Sequence, residues 1–106
     1  MIKMELKLAS ENDYDSFYQI RSEKHNLYWT GYEKAPNYKE FKNWYLNRLK
    51  DPNRDIYLLW VESNCLGALN VDRYNDHAFI GYSIKSEAQG KGLASFMVSQ
   101  ADSLLR

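Results

Sequence analysis

Gln89-Gly90-Lys91-Gly92-Leu93-Ala94 begins five positions after the stretch Ile80-Gly81-Tyr82-Ser83-Ile84. An apolar strand-like run therefore leads into two glycines set on either side of a lysine. Leu93, Phe96, Met97, Ala101 and Leu104 then recur at helical spacing. A helix that opens on glycines is an anion site. Its first N–H groups have no partner within the helix, and its dipole places partial positive charge there. Glycine lets a ligand reach the main chain with no Cβ in the way. A phosphate or diphosphate suits such a place. Two phosphate loops are excluded: the dinucleotide fingerprint lacks its third glycine, and the triphosphate loop lacks its Gly-Lys-Ser/Thr ending.

Working outward, His77 to Ile84 reads as a strand, and Asn75-Asp76 as a two-residue hairpin turn from a strand over Leu66 to Tyr74. Ser63-Asn64-Cys65 reads as the turn before that. Ile56-Tyr57-Leu58-Leu59-Trp60-Val61, within a strand from Asp55 to Glu62, is too continuously apolar for a half-buried strand and predicts burial on both faces. Asn37, with Glu40 three residues on, caps a helix that ends near Lys50 because Pro52 biases Asp51 away from helical angles. Residues His25 to Pro36 read as a loop. Ser10, with Glu11 and Asp13 behind it, starts a helix running to about Ser22. Met4, Leu6 and Leu8 give a period-two strand. The order β-α-α-β-β-β-loop-α predicts one α+β (α/β layered) domain over residues 1–106, with helices covering an antiparallel sheet.

Composition bounds the function. The chain has 106 residues, room for one domain. Lys plus Arg and Asp plus Glu number 14 each, so the formal net charge is zero. That argues against nucleic acid or an anionic membrane as partner. Apolar runs are too short to span a bilayer, and the N-terminus lacks a signal-peptide core. The lone Cys65 builds neither a disulfide within the chain nor a zinc site, and a cytoplasmic setting is the expectation. In a turn it reads as an inert surface thiol. Nine Tyr, four Phe and three Trp read chiefly as core and half-core filler.

The stretch from Ile80 to Ala94 resembles the GNAT N-acetyltransferase superfamily, whose signature of Gln or Arg, two residues, Gly, one residue, then Gly or Ala is matched by Gln89, Gly92 and Ala94. Ile-Gly-Tyr-Ser-Ile before Gln-Gly-Lys-Gly-Leu-Ala is similar to the ribosomal-protein-acetyltransferase branch. The order of elements upstream fits the same family. The resemblance implies acetyl-CoA as cofactor and direct acetyl transfer to a small-molecule or peptide amine. It implies that amides of Gly90, Gly92, Ala94 and Ser95 hold the coenzyme A pyrophosphate, in a loop with Gln89 and Leu93 and with Lys91 flanking. It implies that main-chain groups at Tyr82 and Ile84 pair with the pantetheine arm as an added strand would.

Two departures accompany the resemblance. The family fold continues with a further strand beyond the helix where this chain stops, so the chain reads as a partial domain. Its strand over 77–84 would then be an open edge, which predicts self-association between copies. Where related sequences carry a proton-accepting acid, this chain has Ala78 and Phe79. His77 beside the Asn75-Asp76 turn reads first as a solvated side chain, His25 as a lesser candidate, and Asp72 and Glu62 as solvated strand ends. No catalytic base is named. Tyr28 to Tyr32 read first as packing, second as acceptor contact. The alternative to an acetyltransferase is a non-catalytic module that binds coenzyme A or phosphate, or serves in assembly. A third reading takes the glycine pair as no more than a helix start.

Overall fold

The computed structural model describes residues 3–23 and 34–104. His25 and Tyr28 to Tyr32 lie outside the described residues. β1 (Met4–Leu8) is followed by a 3-10 turn (Glu11–Asp13) and α1 (Tyr14–Ser22). After these come α2 (Tyr38–Lys50), β2 (Arg54–Val61), β3 (Asn64–Arg73) and β4 (Ala78–Ile84). A 3-10 turn (Ser86–Ala88) leads to α3 (Leu93–Leu104). The four strands form one antiparallel sheet in the order β1-β2-β3-β4. The expected α+β layering is present.

The sheet is covered on both faces. Ile56, Leu58 and Ala68 pack with Tyr14, Phe17 and Ile20 of α1 and Phe41 and Tyr45 of α2. Leu59, Leu69 and Val71 pack on the other face with Leu93, Met97 and Ala101 of α3. The unbroken apolar run of β2 thus supplies alternate side chains to two cores. Gly67 sets how closely α3 approaches. A Cβ there would lie 3.1 Å from Met97 Sδ and 3.2 Å from Ile84 Cδ1.

Local chemistry explains most boundaries. Asn37 Oδ1 accepts from the N–H groups of Lys39 and Glu40, both at 3.1 Å, which fixes the start of α2. α1 begins later than the cap pattern predicts. Asp13 Oδ2 accepts from Ser10 N–H at 2.9 Å and from its hydroxyl at 3.0 Å. That tight link winds the first turn as 3-10, a common helix entrance.

The β2–β3 turn falls at Glu62-Ser63, with Asn64 and Cys65 already paired to Val61 and Trp60. Two things move it from Ser63-Asn64-Cys65. Glu62 adopts a left-handed φ of 59°. It is tied to Lys3, whose carbonyl accepts Glu62 N–H at 2.9 Å and whose own N–H donates to Glu62 Oε1 at 3.2 Å. The extra residue Leu66 is absorbed where the register shifts between Leu59 and Trp60. The second hairpin turns at Asn75-Asp76, closed by Tyr74 N–H to the His77 carbonyl at 2.8 Å.

Asp72 is half-buried in an ion pair and not a solvated strand end. Its carboxylate meets the guanidinium of Arg48, which is 8% exposed and lies over the Trp44 ring at 5.0 Å.

Candidate functional site

The registers decide which way each β4 amide points. Lys85 N–H donates to the Leu66 carbonyl at 2.9 Å, and Tyr74 N–H to the His77 carbonyl at 2.8 Å. In an antiparallel ladder, residues alternate between bonding the neighbour and facing away. Phe79, Gly81, Ser83 and Lys85 therefore bond toward β3. The N–H and C=O groups of Ile80, Tyr82 and Ile84 point to the outer edge. Among the described residues only β3 lies beside β4.

That edge meets the start of α3. Gly90 has φ 79° and Gly92 φ 76°, and a Cβ built on either would meet nothing within 4 Å. Only glycine takes this left-handed turn without strain, and it leaves the main chain bare toward solvent. The first bond into the helix runs from Phe96 N–H to the Gly92 carbonyl at 3.1 Å. The N–H groups of Leu93, Ala94 and Ser95 precede it, outside the helical ladder.

Edge and loop together border a cleft of about 800 Å³. Tyr82, Ile84, Gln89, Gly90 and Gly92 line it, followed by Leu93, Ala94 and Ser95. Lys91 does not. It lines a neighbouring hollow with Cys65, Lys85 and Glu87. The structure also brings in residues absent from the motif: Ala68 and Asn70 from β3, Gly81 and Ser83 from β4, and Arg21 from α1. The Arg21 guanidinium lies 5.8 Å from the Phe17 ring centre and 5.9 Å from that of Phe41. A signal for Asn70 exists in the sequence. A two-residue turn at Asn75-Asp76 places Asn70 directly opposite Gly81, as observed.

The turn before α3 is anchored from α1. Glu23 Oε1 accepts Ser86 N–H at 3.1 Å and Glu23 Oε2 accepts the Ser86 hydroxyl at 2.9 Å. No Asp, Glu or His is among the described residues lining the cleft. His77 sits at the hairpin tip, exposed, with Nδ1 2.6 Å from Asp76 Oδ1 and its ring stacked on Tyr74. Cys65 is in a strand and not in a turn. Burial pushes its thiol up to about 11, so it stays protonated at neutral pH and is a poor nucleophile.

A helix start opened by two glycines stands beside an edge strand whose main chain faces outward, a shape that suits an anionic head and an extended amide-bearing arm. The chain belongs to the acetyltransferase (GNAT) domain family, whose model matches residues 3–104. No curated protein sequence matches it significantly.

Solved structures share the fold. Spermidine N-acetyltransferase from Vibrio cholerae, in complex with CoA and spermine, is 19% identical with a TM-score of 0.80. The match covers 92% of this chain and 60% of that one. A domain from Methanocaldococcus jannaschii is 20% identical with a TM-score of 0.84, covering 99% of this chain and 71% of that one. An acetyltransferase from Thermus thermophilus is 17% identical with a TM-score of 0.83, covering 95% and 68%. The chain thus spans about 60% of the length of the Vibrio enzyme. Among the described residues no helix is long and apolar enough to cross a membrane.

Proposed function

We propose that the cleft binds acetyl-CoA and that the protein transfers its acetyl group to an amine. One observation carries this: the main chain at Gly90 and from Gly92 to Ser95 and the outward main chain of Tyr82 border a single cleft. The residues fit the ligand. The diphosphate suits the glycine-opened helix start, where no side chain intrudes and the dipole is favourable. The pantetheine arm, with its own amides, suits the β4 edge as an added strand. Acetyl-CoA supplies an activated thioester. The chain's part is to fix that thioester in place, and Tyr82 N–H is a donor at the edge where an oxyanion would develop.

A non-catalytic coenzyme A-binding module is the second reading. It is favoured by Ala78 and Phe79 on β4 and by the lack of a proton-accepting side chain among the described residues of the cleft. Turnover separates the two. Acetyl-CoA is incubated with an amine panel of peptide N-termini, polyamines and amino-sugars, and free thiol is measured. Acetyltransfer predicts thiol release that depends on both acetyl-CoA and amine. Coenzyme A binding with no release across the panel would establish the second reading.

A further inference from the structure

The two edges of the sheet are not alike. β1 carries Glu5 and Lys7, whose side chains pair at 3.6 Å, and charge of this kind keeps an edge from pairing with another chain. β4 reads Ala-Phe-Ile-Gly-Tyr-Ser-Ile, with no charge and no proline. Alternation along the ladder points the main-chain groups of Ala78, Ile80 and Tyr82 outward. The middle of the strand is open on both faces as well: Phe79 is 62% exposed, Tyr82 54% and Ile80 37%. An apolar edge in this state is a template for one more strand.

We propose that this edge pairs with the β4 edge of a second copy, antiparallel about a two-fold axis at Ile80. Ile80 then lies opposite the partner's Ile80, and Ala78 opposite the partner's Tyr82, each pair exchanging both of its N–H···O bonds. Between them, in the closer non-hydrogen-bonded positions, Phe79 lies opposite the partner's Gly81. A Cβ on Gly81 would meet nothing within 4 Å, so the exposed ring covers a bare stretch of main chain, and symmetry repeats the contact. Other axes lose this fit. Centred on Gly81, glycine faces glycine; centred on Tyr82, Gly81 faces Ser83. At each end of the pairing the exposed Asp76 of one copy comes beside Lys85 of the other, which Glu87 holds only loosely at 3.7 Å, so opposite charges meet.

The pairing uses the outward N–H and C=O of Tyr82, which the proposed function gives to the arm of coenzyme A. One edge cannot serve both. The self-paired form is closed to the ligand, and coenzyme A and association weaken each other by the same factor. This antagonism rests on the coenzyme A reading; the pairing itself does not. So short a contact buries less than a standard interface, and the dimer is weak, with a dissociation constant of roughly 100 µM.

The test is sedimentation velocity of the chain from about 20 to about 500 µM, with and without saturating CoA. The proposal predicts a mass that rises toward the dimer without CoA and stays at the monomer with it. Phe79→Ser should stay monomeric across the range, keep its Tm within about 4 °C, and bind CoA at least as tightly as the parent. In a mixture of isotope-labelled and unlabelled copies, a filtered NOE should join the Phe79 ring of one copy to Gly81 Hα of the other. A monomer at every concentration would overturn the proposal. So would a dimer that Phe79→Ser leaves intact, or one that persists with CoA bound. A chain that binds no CoA removes the acetyltransferase reading and the antagonism with it, and the CoA-free series with Phe79→Ser still decides the pairing.

Discussion

The Glu23 carboxylate holds Ser86 by two hydrogen bonds, one to its N–H at 3.1 Å and one to its hydroxyl at 2.9 Å. The end of α1 is thereby fastened to the turn that carries Gln89 to Gly92. The charged acceptor strengthens both bonds. In Glu23→Ala the turn loses its anchor and must be ordered by the ligand. CoA affinity is expected to fall about three- to tenfold with a small change in Tm, because the contact is exposed. Calorimetry with CoA checks this. Unchanged affinity would show that the turn is rigid without Glu23.

Gly90 and Gly92 are left-handed with open space around them, so a methyl group there is disfavoured by backbone strain and not by collision. Gly90→Ala or Gly92→Ala should each lower stability by about 1 kcal/mol, or about 4–8 °C in Tm. CoA binding should fall more than tenfold, since the strained turn re-aims its amides. Gly81→Ala is the control. Gly81 has an ordinary strand conformation and the same open surroundings, so its Tm should hold or rise. Equal losses at all three positions would contradict the account.

Arg48 is buried against Asp72 and Trp44, and its Nε has no hydrogen-bond partner among the described residues. Removing one half of such a pair leaves an uncompensated charge. Asp72→Ala should therefore cost about 3 kcal/mol, and Arg48→Met clearly less, because methionine leaves no buried charge and keeps the contact with Trp44. Urea unfolding of both variants tests the order. Arg48→Met proving the more damaging would refute it.

Two buried phenols and one half-buried thiol set the alkaline limit. Burial pushes the Tyr14 phenol up to about 12, the Tyr45 phenol higher still, and the Cys65 thiol up to about 11. Each is raised above its unfolded value, so the folded state favours the protonated form. Their contribution is complete below about pH 8 and falls as pH rises, because the unfolded chain releases these protons first, the thiol ahead of the phenols. Between pH 10 and 11 the unfolded chain should release roughly two more protons than the folded one. Stability against urea should be flat from pH 7 to about 8 with respect to these groups and then drop, most steeply above pH 10. Phenylalanine at position 45 leaves one fewer titrating group and should shallow the slope.

How far the sequence reached follows from which interactions are local. The α2 cap needs only Asn37 and the two amides just after it. The outward parity of Tyr82 and Ile84 follows from one short turn at Asn75-Asp76, and the double burial of β2 from an unbroken apolar run. Glu62 was beyond reach because its left-handed turn is secured by Lys3, 59 positions away. The anchor from Glu23 to Ser86 spans 63 positions and leaves no periodic trace. Asp72 looked solvated because its partner Arg48 comes from a helix whose burial depends on packing over Trp44. Lys91 looked like a phosphate neighbour because it stands between two glycines. The left-handed angles at Gly90 and Gly92 accompany a loop in which Lys91 lines the adjoining hollow.

The central claim is that the amides opening α3 and the β4 edge form one binding surface for coenzyme A. Backbone amide NMR during a CoA titration tests it most directly. The account predicts saturable shifts concentrated at Gly90 to Ser95 and at Tyr82. It would be contradicted if those amides stayed fixed at millimolar CoA, or if the shifts clustered on another face of the sheet.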